Sequence, residues 1–424
     1  MKYPRADTAA GQFSGMNAAA GSSMANGLDV WATRKFLQAI GNPALRVVLW
    51  NGKEVVSGNT APAVAMVIRS RAALWRLLTN PLLHFGDDYS AGQIEVEGEL
   101  VVFLETVYRA MAASRKYRKT PDPAAYRRNQ PKLNSRAGSQ QNIHHHYDIG
   151  NDFYKLWLDR EMLYTCAYFP EPAVSLEEAQ IAKMELVCRK LQLQEGQTVV
   201  EAGCGWGALA RHMARHYGVN VRAYNISCEQ IAYARQQART EGLERQVEYI
   251  EDDYRNITGT YDAFVSVGML EHVGPDHYRE LGRVIDRSLM KHGLGLIHTI
   301  GQNMATPMSP WFLKRIFPGS YPPTLREMME LFEPQEFTVL DVENLRLHYA
   351  KTCEHWLERF ERNRDRVREM FDECFVRAWR LYLSGCIANF SRGNLQLFQV
   401  VFSRPTNNLV PLTRSHLSVP TRQS

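Results

Sequence analysis

The sequence predicts an α/β protein: a doubly wound, mainly parallel sheet preceded by a small α+β domain. Three observations carry this. The stretch QTVVEAGCGWG (197–207) reads as a short apolar strand, an acid at Glu201 and glycines at 203, 205 and 207, with a helical pattern over 208–217 directly behind it. After it, apolar strand-like runs alternate with helical ones, the signature of a doubly wound sheet. Ahead of it, residues 28–112 hold short helices and strands of their own.

The glycine turn is the organising stretch. A strand that passes through a turn into a helix brings backbone N–H groups and a positive helix end against a small anionic ligand. Glycines remove the Cβ atoms that would block that approach. The spacing is G-x-G-x-G, not the G-x-G-x-x-G of dinucleotide binders. Taken alone the motif is weak, and a plain tight turn is the lesser alternative.

In chain order, residues 1–27 read as a disordered extension. A helix over 29–40 carries Val30, Trp31, Phe36, Leu37 and Ile40. Strands over 46–50 and 63–68 flank the turn-rich NGK and SGNT. A short helix over 72–78 ends at Asn80-Pro81. Phe85-Gly86-Asp87-Asp88 then leads into a strand over 94–96 and a helix over 100–111. The apolar row Leu74, Trp75, Leu78, Leu82, Leu83 and Phe85 suits an ordinary core first and acyl chains second.

A basic linker covers 113–140. Between Ser114 and Arg136 it holds eight basic residues and one acid, a local +7 that leaves the rest of the chain near −2 of the net +5. Such a segment is either a solvated tether or a contact for an anionic surface, where each charge contributes roughly 1 kcal/mol. Three adjacent histidines follow, 144–146. Neighbouring side chains diverge on a helix or a strand and no second ligand cluster has zinc spacing, so no metal is expected.

A helix over 153–158 precedes the aromatic stretch MLYTCAYFP (162–170), which has neither period and reads as a loop closing over a pocket. A helix over 176–191 leads to the glycine strand. Then come strands over 219–223, 247–250, 263–267 and 295–299, with helices over 228–241 and 277–292 between them, and two late strands over 338–345 and 395–402. With 198–200 this makes seven strands. Ligands of such sheets sit at the carboxyl ends of the strands, which gathers Glu201, Asn225, Asp253, Glu271 and His298 around one crevice. An insertion over 301–323 interleaves Trp311, Phe312, Ile316 and Phe317 with Lys314 and Arg315, a mixture suited to a membrane interface. One or two helices over 354–390 place an apolar stripe against the core or an acyl chain. The tail over 405–424 is irregular.

Composition narrows the class. At 424 residues and 45% hydrophobic, the chain is long enough for two to three domains and a sizeable core. No apolar run reaches the ~18 residues of a spanning helix. The N-terminus lacks the apolar core of a signal peptide. The seven cysteines (166, 188, 204, 228, 353, 374, 386) show no C-x-x-C pairing, as in a reduced cytoplasmic protein.

The stretches HYDIGNDFYKLWL (146–158), YTCAYF (164–169), VVEAGCGWG (199–207), VSVGMLEHVG (265–274), HTIG (298–301) and LQLFQVVFSR (395–404), in that order, resemble the cyclopropane-fatty-acyl-phospholipid synthases and their relatives, the mycolic acid cyclopropane synthases. The resemblance covers about 142–404 and, more loosely, the small N-terminal domain. It implies a seven-stranded sheet of the S-adenosylmethionine-dependent methyltransferase type over 141–404 and a lipid-binding-like domain over 28–112. In this family the sulfonium methyl is attacked by a cis double bond of a phospholipid acyl chain. The resulting carbocation loses a proton from the added methyl and closes a cyclopropane ring.

By resemblance, Gly203, Gly205 and Gly207 hold the cofactor, with Glu201 beside the loop and Tyr164 and Thr165 capping it. Asn225, Ile226 and Gln230 lie near ribose and adenine, and Asp253 near the base. Tyr168, Phe169 and Tyr349 face the cation. The base is a bound bicarbonate between Glu271, His298, Tyr349 and the backbone of Cys166 and Ile300. Its O–H donates to Glu271 while its other oxygens accept. Cys386 matches a cysteine given a catalytic role in the family, although a helix-borne cysteine among apolar residues more often simply packs. Glu201, Asn225 and Thr165 stand where the family usually has aspartate, threonine and serine, with similar hydrogen-bonding capacity. The resemblance also implies a homodimer on the cytoplasmic face of the inner membrane, acting on unsaturated phospholipid at an anionic surface. Three other readings compete. A C-methyltransferase on the same scaffold would leave a methyl branch without a ring. A nucleic-acid methyltransferase would need a basic stacking platform, which is missing. A lipid carrier with a dead catalytic domain would not need intact site residues.

Overall fold

The computed structural model describes residues 25–58, 60–114 and 149–417. The expectations for the N-terminal extension up to 24, for the basic residues 115–136 and for histidines 144–146 lie outside the described residues. In chain order the elements are α1 (Gly27–Ala39), β1 (Leu45–Val48), β2 (Glu54–Ser57), β3 (Ala65–Ile68), α2 (Arg71–Thr79), α3 (Pro81–Ser90), β4 (Ile94–Glu97) and α4 (Leu100–Ala113). Next come α5 (Asn151–Tyr154), α6 (Leu176–Lys190), β5 (Thr198–Ala202), α7 (Ala208–Tyr217), β6 (Asn220–Asn225), α8 (Cys228–Thr240), β7 (Val247–Glu251), β8 (Tyr261–Val267), α9 (Leu270–Val273), α10 (Tyr278–Ser288) and β9 (Leu289–Gly301). The chain closes with α11 (Pro310–Arg315), α12 (Leu325–Phe332), β10 (Thr338–Asn344), α13 (Arg346–Arg362), α14 (Arg364–Met370), α15 (Glu373–Arg392) and β11 (Gln396–Ser403).

These elements form two compact units. The first joins the N-terminal residues to Ala305–Pro318 and Cys353–Asn394. Its four-stranded sheet runs β2-β1-β3-β4, with β1 and β3 parallel and the outer pairs antiparallel. Residues 81–90, to which the sequence assigns no element, form the helix α3. Asn80 caps it and Pro81 occupies its first turn, the place where a missing N–H costs nothing. Its unhelical Gly-Asp-Asp is held from outside. Asp88 receives Arg76 through three contacts of 2.5–3.1 Å, and Asp87 pairs with Arg315. A Cβ on Gly86 would stand 2.5 Å from the Trp311 ring. The continuous block 141–404 is likewise divided, since α11 and α15 pack on α3, and α15 on α4. Arg377 on α15 lies over the Tyr89 ring at 4.4 Å and donates to Tyr89 O at 2.6 Å. The apolar residues of the insertion and of 354–390 are therefore largely core.

The second unit carries the seven-stranded sheet, ordered β10-β11-β9-β8-β5-β6-β7. Strands β5 to β9 are mutually parallel, and β11 and β10 are antiparallel additions. Period-2 alternation splits each strand between two cores. Val199, Val221 and Val265 join α6 and α7 on one face. Val200, Tyr224 and Phe264 join α10 and α12 on the other. The chain leaves β5 for β6 on one side and returns as β8 on the other, which opens a crevice at the carboxyl ends there.

Candidate active site

The crevice begins where β5 ends. Gly203, Gly205 and Gly207 all have left-handed backbone, φ +84°, +53° and +81°. The N–H groups of Gly203 and Cys204 both donate to Tyr224 O, at 2.9 and 3.1 Å, which ties the turn to β6. A pocket opens on this turn. It is lined by Tyr164, Thr165, Glu201, Gly203, Gly205, Asn225, Ile226, Gln230 and Asp253, that is, by the expected cofactor residues with one omission. Gly207 does not line the pocket. Tyr249 Oη donates to Gly207 O at 2.7 Å, and a Cβ at 207 would stand 2.5 Å from that Oη. The third glycine makes room for a tyrosine.

Asn225 is held from both ends. Its Nδ2 donates to Gln230 Oε1 at 2.7 Å and its Oδ1 accepts from Ile226 N at 2.8 Å. Both Asp253 oxygens are engaged by Arg255, at 2.9 Å each, so this carboxylate shapes the rim instead of standing free. Glu201 is fully buried, and burial pushes its carboxyl up to about 7. Its Oε2 has no hydrogen-bond partner among the described residues. Lys183 also lines the pocket. It donates to Thr165 Oγ1 at 3.0 Å, and burial brings it down to about 8.

A second polar group lies on the strand ends beside the pocket. Glu271 on α9 takes the Ile300 N–H on Oε1 at 2.6 Å. Burial pushes it up to about 7, and its Oε2 is buried without a partner among the described residues. His298 sits two residues before Ile300 and therefore on the same face of β9. Burial holds its pKa well below the ordinary value. Its Nδ1 lies 3.0 Å from Gln399 Nε2, and its Nε2 is buried and unpartnered among the described residues. One detail differs from the expected arrangement. The Ile300 N–H is already given to Glu271, so Ile300 bears on a bound anion only through that carboxylate.

The aromatic loop is pinned by α13. Ala167 N donates to Thr352 Oγ1 and Phe169 N to His348 Nδ1, each at 3.0 Å, and Tyr168 stacks on the His348 ring at 4.8 Å. Lys351 lies over the Phe169 ring at 4.8 Å. Cys166 is fully buried, with Sγ 3.1 Å from Ala167 O, and burial keeps its thiol protonated. Tyr349 is buried on α13. Cys386 belongs to α15 in the first unit, half-buried and beside Tyr108.

Lys183, Lys190 and Gln399 escaped the sequence reading. A signal existed for each: the two lysines fall on the apolar stripe of α6 with Val187 between them, and Gln399 interrupts the continuous apolar run of β11.

The family model described as mycolic acid cyclopropane synthetase matches residues 134–400. Another, described as a domain of unknown function, matches residues 32–118. A Pseudomonas putida protein named probable fatty acid methyltransferase is 34% identical over 380 residues, 87% of this chain and 94% of the relative. Cyclopropane-fatty-acyl-phospholipid synthase of Escherichia coli K12 is 41% identical over 270 residues, 63% of this chain and 69% of the relative. The solved structure of mycolic acid cyclopropane synthase CmaA1 complexed with SAH and CTAB is 30% identical, with a TM-score of 0.60. It covers 65% of this chain and 100% of that one.

Proposed function

The chain belongs to the mycolic acid cyclopropane synthetase family, and on that premise we propose that it builds cyclopropane rings on cis double bonds of phospholipid acyl chains. It is an enzyme of the S-adenosylmethionine-dependent lipid methyltransferase and cyclopropane synthase type. The finer reading is carried by one observation: Glu271 Oε2 and His298 Nε2 are both buried and unpartnered among the described residues. A buried polar atom left unpaired costs about 1–3 kcal/mol, so one on α9 and one on β9, joined through the Ile300 N–H on Glu271, suit a small polar guest. A plain methyl transfer has no need of such a cage.

The pocket fits S-adenosylmethionine. Glu201 has a free buried oxygen for an ammonium group, Asn225 and Gln230 are held in fixed orientation, and the glycine turn lacks Cβ atoms where a ligand approaches. S-adenosylmethionine supplies the electrophilic methyl; the chain's residues orient it and exclude water. Glu271 and His298 would hold bicarbonate, which when bound would supply the base that takes a proton from the added methyl; Glu271 Oε2 would accept a hydrogen bond there and His298 Nε2 would donate one. The basic residues 115–136 hold the protein at an anionic bilayer.

A second reading keeps a specific support. A relative matched over 87% of this chain bears the name probable fatty acid methyltransferase, and a methyl branch without a ring would follow if the proton were lost elsewhere. The test is to incubate the purified protein with monounsaturated phospholipid vesicles and S-adenosylmethionine, then analyse the fatty esters by mass and ozonolysis. The proposal expects a gain of one methylene with loss of the ozone-sensitive bond and no branch. A branched product supports the second reading, and unchanged chains contradict both.

A further inference from the structure

We propose that Lys190 and Gln399 fix the tautomer of His298, so that its buried Nε2 is a hydrogen-bond donor. The inference rests on the reading of Glu271 and His298 as the holders of the proton acceptor.

His298 and Gln399 are directly opposite on antiparallel β9 and β11, so their side chains share one face. Gln399 is fully buried, and the side chain of Lys190 is 1% exposed. Lys190 Nζ lies 2.7 Å from Gln399 Oε1 and 2.5 Å from Glu343 Oε2. An ammonium only donates, so the Gln399 atom facing it is the carbonyl oxygen. The other end of that amide, an NH2 that only donates, is 3.0 Å from His298 Nδ1. Nδ1 must therefore accept, which leaves the proton of the neutral ring on Nε2. Burial keeps the ring neutral.

This chain of contacts also explains why two polar residues interrupt otherwise apolar surfaces. Burying a lysine and a glutamine is unfavourable unless each is fully paired, and an apolar residue at either place would pack as well. What they add is direction. With Nε2–H toward the site, His298 offers a donor to an anionic oxygen; with the opposite tautomer it would offer a lone pair and repel it. Lys190 and Gln399 touch neither substrate nor cofactor, so they are positioning residues.

The test reads the ring directly. In the full-length protein with 15N-labelled histidine, and His298 assigned through its own backbone, the spectrum at neutral pH should show Nδ1 unprotonated and Nε2 protonated. A proton on Nδ1 in the unmodified protein overturns the inference, whatever the lipid product. The product of the same preparation separately tests the reading it rests on. In Lys190→Met the amide is free to turn, so the second tautomer should appear. kcat should then fall about 10- to 100-fold, by analogy with the loss of an outer-shell partner of a metal-bound histidine, with KM for S-adenosylmethionine unchanged. Lys190→Arg keeps a donor against Gln399 Oε1 and should restore both. If Lys190→Met leaves tautomer and kcat as they were, the relay does not exist. Should Lys190→Met not fold, the unmodified spectrum decides alone, and Gln399→Glu, which places an acceptor opposite Nδ1, should move the proton onto that nitrogen.

Discussion

Replacing Glu271 by glutamine should raise stability and lower turnover in the same protein. In the folded chain burial moves this carboxyl from an ordinary 4.5 to about 7. Between those values the folded state keeps a proton that the unfolded state has released. It binds more protons, so stability falls as pH rises through the window. At 1.36 kcal/mol per pKa unit, the ionised buried carboxylate disfavours the fold by about 3 kcal/mol once the pH is above 7. Glutamine cannot ionise, and its oxygen still accepts the Ile300 N–H that now reaches Oε1 at 2.6 Å. The variant should therefore match the unmodified protein near pH 4.5 and exceed it by up to about 3 kcal/mol at pH 8, measured by urea unfolding without cofactor. Turnover should move the other way. The amide NH2 replaces an acceptor that takes a charge-assisted hydrogen bond worth about 1.5–3 kcal/mol, which is about 10- to 100-fold in kcat. KM for S-adenosylmethionine should stay within a few-fold. The reasoning fails if the variant is less stable than the parent at pH 8, if kcat is unchanged, or if cofactor affinity falls as far as turnover.

Three further outcomes are expected. Gly207→Ala puts a side chain at φ +81° and 2.5 Å from Tyr249 Oη; strain of about 1–3 kcal/mol plus the clash should appear as a lower urea midpoint, while the folded fraction binds S-adenosylmethionine normally in calorimetry. Gly86→Ala drives a methyl into the Trp311 ring at 2.5 Å, and overpacking of about 1–3 kcal/mol should lower the thermal midpoint; an unchanged midpoint would mean that α3 and α11 separate easily. Replacing Arg115, Lys116, Arg118 and Lys119 by glutamine should weaken flotation with anionic vesicles by roughly 1 kcal/mol per charge, and the difference should vanish in high salt; equal flotation at low salt would reduce the segment to a tether.

The seven strands of the catalytic sheet were legible because each holds a continuous or alternating apolar pattern, although β9 starts at Leu289, inside the span read as a helix over 277–292. The glycine turn was legible because its left-handed positions need glycine. Other features were hidden by side chains that act on distant parts of the chain. α3 is not legible as a helix until Arg76, Arg315 and Trp311 are known to hold its Asp88, Asp87 and Gly86. β2 was passed over because its alternation spans only four residues, and α12 because its capping box at Thr324 and Glu327 follows a proline-rich insertion. The packing demand for glycine at 207 was hidden since the tyrosine that needs its space lies 42 residues away. Residue types pointed to Glu271 and His298, but not to the Ile300 N–H closing on Glu271 or to the lysine and glutamine behind His298. Those are facts of register and helix face.

The central claim is that the added methyl gives up a proton to an acceptor held by Glu271 and His298. It is tested most directly with S-adenosylmethionine carrying a trideuterated methyl group, monounsaturated phospholipid vesicles and the purified protein. The account predicts a saturated ring whose new carbon has lost one deuteron. A product that keeps the whole trideuteromethyl group, as a branch, would contradict it.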